Sequence, residues 1–159
     1  MIVVADTAPL HYLVLIGAAD VLPSLYSRVV TPQTVVEELS EPRAPNTVKT
    51  WIAHQPAWLE VRPDPPFDPT LALLDPGERA AIALAQSLDA DRLLIDDWDG
   101  RAEAERRHLL VTGTLGVLAK AHQHQLVDFE AALARLIQTN FYVSALLIDV
   151  MRRRLSTGT

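Results

Sequence analysis

Short apolar runs, rich in β-branched residues, alternate along the chain with longer segments of helical periodicity. Runs of this kind, bounded by turn residues, are typical of strands that are buried on both faces of a sheet. The predicted strands cover residues 2–5, 28–31, 58–61, 92–95 and 109–111. Because these strands alternate with helices, the pattern predicts an α/β fold with three layers, in which helices flank a central, mainly parallel sheet of about five strands.

Prolines and capping residues indicate where the helices begin. Proline tolerates the first turn of a helix, so Pro9 and Pro32 are each predicted to start one. Asp128 and Ser144 are the predicted N-caps of the last two helices, the first of which covers 129–139. Helices are also predicted at about 9–18, 19–26, 47–54, 76–88 and 100–107, with one more that ends near Gln125. The proline-rich stretch 62–70 is predicted to be a surface loop.

The composition is that of an ordinary globular protein. The chain has 159 residues, of which 49% are hydrophobic and 21% charged, so we expect a single domain over residues 1–159. It contains no cysteine, which excludes disulfides and thiolate metal sites. The N-terminus lacks the basic region of a signal peptide, and no apolar run approaches the roughly 18 residues of a membrane span. These features predict a cytoplasmic protein that does not enter the membrane.

The net charge of −6 argues against a general electrostatic attraction to nucleic acid. It does not exclude a metal-dependent nuclease, because carboxylates that bind cations contribute to that charge. Positive charge is concentrated locally, between Arg101 and His108 and in the run from Arg152 to Arg154. For both clusters the sequence favours solvated helix faces.

Acidic residues recur where the apolar strands give way to helices. They are Asp6, Glu38, Glu78 and the cluster of Asp96, Asp97 and Asp99. Acids at the carboxyl ends of parallel strands point into the crevice where open α/β sheets bind ligands. Several carboxylates crowded there repel one another and need a hard cation to stay ionised together. The pattern therefore predicts a magnesium-dependent hydrolytic site.

Each acid also has a structural alternative. Asp6 is suited to cap the helix that follows it, and Glu78 is suited to form a capping box with Asp75. Glu38 stands beside Glu37 on a helix, so only one of the two can easily face a site. A lone glutamate on an amphipathic helix is usually solvated. Taken singly, these acids leave both interpretations open.

The acids after the fourth strand are harder to explain as caps, since three of them occur in four residues. Strand alternation puts Asp96 and Asp97 on opposite sides, so one is expected in the site and the other against a helix or turn. Thr112 and Thr114 follow the fifth strand, where they are suited either to hold a phosphate or to cap the next helix. The histidines show no zinc-binding spacing.

The order of the acids resembles that of the PIN-domain ribonucleases. The segments A-D-T-A-P-L, L-D-P-G-E-R-A-A-I-A-L-A and V-T-G-T-L-G-V-L are similar to a prokaryotic branch of that family, and the chain looks most like VapC-type toxins of toxin–antitoxin pairs. The resemblance covers about residues 1–127, and the helices expected at 128–155 are less diagnostic. It implies a PIN-like fold and an endoribonuclease that uses Mg²⁺ or Mn²⁺ to hydrolyse single-stranded RNA.

The resemblance also implies which residues form the site. The catalytic acids would be Asp6, Glu38, Glu78 and Asp97. The metal ligands would be Asp6, Glu78 and Asp97, with Asp96 as the alternative at the strand end and Asp99 as an optional fifth acid. Two features depart from the family: many relatives have Thr or Ser just before the strand-end acid, where this chain has Ile95 and Asp96, and the third acid is Glu rather than the commoner Asp.

The resemblance further implies an RNA substrate, a small antitoxin that blocks the acidic site, and a homodimer. The residues expected to contact substrate are Thr7, Thr112, Thr114 and Arg101. An apolar face near the C-terminus is compatible with either core packing or a dimer contact; it consists of Phe129, Leu133, Leu136 and Ile137.

The main alternative to an active nuclease is a degenerate PIN-like module that binds RNA or protein without cutting it. The presence of all the family's acids argues against a loss of activity. A HAD-like phosphatase would need a second acid two residues after Asp6, where this chain has Ala8. A receiver domain would need paired acids at the first strand, which offers only Asp6.

Overall fold

A parallel sheet forms the centre of the protein, whose computed structural model describes residues 1–157. Within those residues the strands are β1 (Ile2–Ala5), β2 (Arg28–Pro32), β3 (Leu59–Arg62), β4 (Arg92–Leu94) and β5 (Val111–Thr112). Their order across the sheet is β3-β2-β1-β4-β5, and every neighbouring pair is parallel. The predicted α/β fold with a central sheet of about five strands is therefore confirmed.

Helices cover both faces of this sheet. They are α1 (Thr7–Leu15), α2 (Val21–Leu25), α3 (Gln33–Leu39), α4 (Asn46–Ala53), α5 (Pro76–Ser87), α6 (Trp98–Arg106), α7 (Thr114–Gln123), α8 (Phe129–Ile137) and α9 (Ala145–Ser156). The core against α5 and α6 is separate from the larger core on the opposite face. None of the helices in residues 1–157 is both long and apolar enough to cross a membrane.

The central strand β1 shows why the strand sequences are continuously apolar. Val3 and Ala5 belong to the larger core, whereas Val4 belongs to the core beneath α5 and α6. All three side chains are fully buried. Because successive side chains of a strand point to opposite faces, a sheet covered on both sides needs apolar residues at every position.

The two prolines do not start their helices as predicted. Helix α1 begins at Thr7, two residues before Pro9, because the first turn of a helix needs no backbone N–H donor and accepts proline beyond its first position. Pro32 keeps an extended backbone and is the last residue of β2, so α3 begins at Gln33. Two smaller differences are that β5 covers Val111–Thr112 and that the proline-rich loop contains a short 3-10 turn, Pro69–Leu71.

The apolar face of α8 proves to be core rather than a dimer contact. Phe129, Leu133 and Leu136 are each at most 2% exposed and pack in the larger core. Ile137, by contrast, is 55% exposed. Of the two uses that the sequence left open for this face, core packing accounts for all of it except Ile137.

Replacing Leu133 by alanine is expected to lower the free energy of unfolding by about 2–5 kcal/mol, because a buried aliphatic side chain is removed and a cavity remains. Ile137 lies one turn further along the same helix, and its side chain is similar in size but exposed to solvent. Ile137→Ala should therefore change the free energy of unfolding by no more than about 0.5 kcal/mol. Urea denaturation of both variants checks this. Equal losses would contradict the burial described above.

Candidate active site

The site lies where the strand order reverses, at the carboxyl edge of the sheet. From β1 the chain proceeds outward through β2 and β3, then returns to place β4 on the other side of β1. The backbone N–H of Asp6 donates to the carbonyl of Leu94 at 2.9 Å, which extends the β1–β4 pairing past both strands. The residues that follow β1 and β4 therefore emerge side by side, in the crevice typical of ligand sites in open α/β sheets.

A cleft of about 340 Å³ opens at this point. We refer to it as the acidic cleft, because its lining includes the carboxylates of Asp6, Glu38, Glu78 and Asp97. The fold thus brings together four acids that are far apart in the sequence. The other lining residues are Thr7, Ala8, His11, Tyr12, Asp75 and Asn140.

Asp6 is the most deeply buried of these acids, with 4% of its surface exposed. It occupies the N-cap position of α1, but its side chain makes no capping hydrogen bond. Its Oδ1 atom is buried and has no hydrogen-bond partner among the described residues. The pKa of Asp6 is raised to about 7, chiefly by burial, with further contributions from the negative charges of Glu38, Asp96 and Asp97.

Glu38 is turned into the cleft by contacts with two other helices. One oxygen accepts a short hydrogen bond from the hydroxyl of Thr7, and the other accepts from the backbone N–H of Gly77 at 3.2 Å. A β-carbon at Gly77 would lie only 2.1 Å from Oε1 of Glu38, so a larger residue here would displace that carboxylate from its observed position. The adjacent Glu37 is exposed to solvent.

Glu78 is both a capping residue and a lining residue of the cleft. Its Oε1 accepts from the backbone N–H of Asp75 at 3.2 Å, which completes the predicted capping box of α5. The side of the carboxylate that bears Oε2 lies against Gly100, where a β-carbon would approach it to 3.1 Å. Burial, followed by the charges of Asp97 and Asp6, raises the pKa of Glu78 to about 8.

Asp96 and Asp97 point to different places, as strand alternation predicts. Asp96 accepts hydrogen bonds from the backbone N–H and the hydroxyl of Thr114, at 2.7 and 2.6 Å. Burial raises the pKa of Asp96, although these two bonds oppose the shift. Asp97 lines the acidic cleft and caps α6 by accepting from the backbone N–H groups of Asp99 and Gly100, at 3.1 and 3.4 Å.

Comparison with known proteins identifies the family of the chain. The family profile described as "DUF3368: PIN domain" matches residues 2–157. The chain belongs to the PIN-domain family. A PilT N-terminus domain protein from the hyperthermophilic archaeon Sulfolobus solfataricus P2 is similar in structure, with a TM-score of 0.49 and 16% identity over 91% of this chain and 100% of that chain. No curated protein matches the chain.

The remaining predicted residues of this PIN domain lie outside the acidic cleft, except Thr7. Asp99 is exposed and does not line the cleft. Thr114 is fully buried, with its hydroxyl bonded to Asp96. Thr112 and Arg101 line a second cleft, in which Arg101 donates to the carbonyl of Ile95 at 3.0 Å.

Sequence reasoning missed the glycines that make room for the acids. Both glycines are adjacent to acids that the sequence analysis predicted for the site: Gly77 precedes Glu78 in the D-P-G-E segment, and Gly100 follows Asp99. Each glycine packs against a carboxylate that is distant in the sequence, Gly77 against Glu38 and Gly100 against Glu78. Such a contact leaves no local pattern, so only the folded arrangement reveals it.

The cleft has the chemistry of a site for a hard divalent cation. Its acids offer oxygen ligands of the type that Mg²⁺ and Mn²⁺ prefer, and Asp6 keeps one buried oxygen without a partner. Within residues 1–157, no group of three or more His, Cys, Asp or Glu side chains is already spaced to hold an ion.

The raised pKa of Asp6 predicts a pH-dependent gain in stability for Asp6→Asn in metal-free buffer. A carboxyl with a folded-state pKa of about 7, raised from 3.8, is more easily ionised in the unfolded chain, so its cost to folding grows as the pH rises through that interval. At pH 8 the variant should gain up to about 4 kcal/mol over wild type, at about 1.4 kcal/mol per pKa unit. At pH 4 the gain should largely disappear.

Urea denaturation in EDTA at both pH values measures this difference. Glu37→Gln serves as the control, because Glu37 is exposed to solvent beside the cleft acid Glu38. Its stability relative to wild type should show no such pH dependence. A gain for Asp6→Asn that is the same at pH 4 and pH 8 would contradict the proposed cause.

Proposed function

We propose that this PIN-domain protein is an endoribonuclease that hydrolyses single-stranded RNA with Mg²⁺ or Mn²⁺ and acts as the toxin of a toxin–antitoxin pair. The observation that carries the proposal is the buried Oδ1 of Asp6, which has no hydrogen-bond partner among the described residues and lies in a cleft lined by four other acids. Burying such a group is unfavourable for folding unless a ligand compensates it. A site that keeps this arrangement is therefore suited to bind a cation.

In this proposal Asp6, Glu78 and Asp97 hold the cation. When bound, it would lower the pKa of a water molecule and offset charge on the scissile phosphate. Glu38 is a positioning residue, because Thr7 and the N–H of Gly77 fix its carboxylate beside Asp6. The N-terminus of α6 fixes Asp97 in the same way through two backbone N–H groups.

The side chains of the acidic cleft are suited to hydrolysis by water that a bound cation activates. Its lining includes no cysteine, serine or lysine. The hydroxyl of Thr7 donates to Glu38, so it is used to orient a carboxylate. The carboxylates would support direct attack of water on a phosphodiester, with the bound cation lowering the pKa of that water.

Two partners belong to the proposal. A small antitoxin would close the acidic cleft, whose carboxylates are suited to a cationic side chain. A second copy of the chain would cover apolar surface on α9, where Leu146 and Val150 are 70% and 40% exposed, one helical turn apart. The degenerate binding module has less support, because each of the four acids lies in the cleft.

Purified wild type is expected to cleave single-stranded RNA with Mg²⁺ or Mn²⁺ and to lose the activity in EDTA. The double variant Asp6→Asn/Asp97→Asn should lose at least about a hundredfold in cleavage rate, because the ligands of the cation are removed. Gel analysis of a labelled RNA measures both effects.

The matched pair Glu38→Gln and Glu37→Gln tests the location of the site. Both remove one charge from α3, but only Glu38 lines the cleft, so only Glu38→Gln should slow cleavage. Equal cleavage by the double variant and wild type would mean a contaminant or a wrong site. Absence of metal-dependent cleavage in every protein would favour the binding-module alternative.

The toxin role has its own test in growing cells. Induced wild type should arrest growth, whereas Asp6→Asn, checked for folding by circular dichroism, should not. The arrest should be relieved by a small protein encoded next to the gene. If neither form slows growth, the toxin role is contradicted, whereas the proposed nuclease activity is not.

A further inference from the structure

A second and larger cleft, of about 740 Å³, lies beside the acidic cleft. It runs between the end of β5, the start of α6 and the C-terminal helix α9. We call it the arginine groove, since Arg92, Arg101 and Arg154 all line it. In a chain with a net charge of −6, three cations along one groove are a marked local excess of positive charge.

These arginines are not used in salt bridges with other described residues, although Arg28, Arg106 and Arg152 are. Two of the three are held in place by hydrogen bonds: Arg92 donates to the hydroxyl of Thr112 at 3.2 Å, and Arg101 to a backbone carbonyl at 3.0 Å. Neither bond neutralises a charge, although the carboxylate of Asp96, also in the lining, offsets part of the charge of Arg101. The groove is thus arranged for an anionic ligand.

The lining also carries aromatic surface that the protein does not bury. Trp98 is 80% exposed and Tyr142 is 87% exposed. Leu147 and Met151 of α9 line the groove beside them. Exposed aromatic rings next to arginines that form no salt bridge among the described residues are the combination that binds single-stranded nucleic acids, in which bases stack on rings while phosphates pair with cations.

The arginine groove and the acidic cleft are adjacent. Asp96 lines the groove and Asp97 lines the cleft, so the two sites meet across consecutive residues. They meet again in the α8–α9 loop, where Asn140 lines the cleft and Phe141 the groove. Tyr12 holds this loop, with its hydroxyl 2.9 Å from Oδ1 of Asn140 and its ring 4.9 Å from that of Phe141.

We infer that the arginine groove binds a single strand of RNA and leads it into the acidic cleft, with bases on Trp98 and Tyr142 and phosphates on Arg92, Arg101 and Arg154. The inference rests on the proposed function, which supplies the RNA. A duplex does not fit it, because paired bases cannot reach the two rings. The groove therefore selects unpaired segments before any bond is cut.

Binding of a fluorescein-labelled single-stranded oligoribonucleotide, about ten nucleotides long, tests the groove in EDTA, where cleavage is not expected. Fluorescence anisotropy should show Trp98→Ala and Tyr142→Ala binding about tenfold more weakly or worse. Trp98→Phe keeps an aromatic face and should recover much of the affinity. Phe67→Ala, at a 65% exposed aromatic outside the groove, should bind as wild type does.

Salt dependence separates the arginines from the rings. Arg154→Ala should reduce the slope of log affinity against log salt by about 0.7, the value for one phosphate contact on a single strand. Arg153→Ala makes the same charge change at the neighbouring position of α9, outside the groove lining, and should leave the slope unchanged.

Three outcomes would overturn the groove. The first is wild-type affinity for RNA in all the groove variants, and the second is absence of RNA binding by wild type. The third is a dimer in light scattering that Trp98→Ala and Tyr142→Ala dissociate, because the groove would then be a protein interface. Metal-dependent cleavage by wild type, together with wild-type RNA affinity in the variants, would contradict the role of the groove but not the nuclease activity. RNA binding through the groove without any cleavage would contradict the nuclease activity but not the role of the groove.

Discussion

Burial of the Asp6 carboxylate next to β4 is the constraint on which the arrangement of the site depends. The β1–β4 pairing continues through the Asp6 N–H, which fixes the backbone from which this buried side chain enters the cleft. Four further acids line the same cleft, namely Glu38, Asp75, Glu78 and Asp97. The resulting desolvation and repulsion raise the pKa of Asp6 and of Glu78. Ionising these two carboxyls is therefore unfavourable in the protein without a bound cation.

Helix N-termini offset part of that cost. Asp97 accepts from the first turn of α6, Asp96 from the first residue of α7, and Glu38 from the N–H of Gly77 at the start of α5. Each bond uses an N–H group that has no partner within its own helix, and each carboxylate lies at the positive end of a helix dipole. Among the described residues, Oδ1 of Asp6 is the only fully buried carboxylate oxygen that lacks a hydrogen-bond partner. This oxygen therefore marks where a cation would contribute most.

The elements that the sequence predicts well are those with a local cause. Apolar runs predicted the strands because the sheet is covered on both faces, and alternation predicted the opposite directions of Asp96 and Asp97. The choice between Glu37 and Glu38 had no local cause, since it is decided by Thr7 and Gly77 from other parts of the chain. Likewise, Arg92 and Arg154 line one groove only because α9 folds back over the end of β5.

The net charge of −6 seemed to oppose an RNA substrate, yet charge acts locally at a Debye length of about 8–10 Å. If the proposed function holds, the arginines of the groove bind the phosphates of the RNA and the acids of the cleft bind the cation. The two sites meet between Asp96 and Asp97. A polyanion approaching the acidic cleft without metal would be repelled, whereas one held along the arginine groove is already neutralised where it binds. The bound cation would then reverse the sign of the cleft itself. Association with RNA is in this way made to depend on two local fields rather than on the charge of the whole protein.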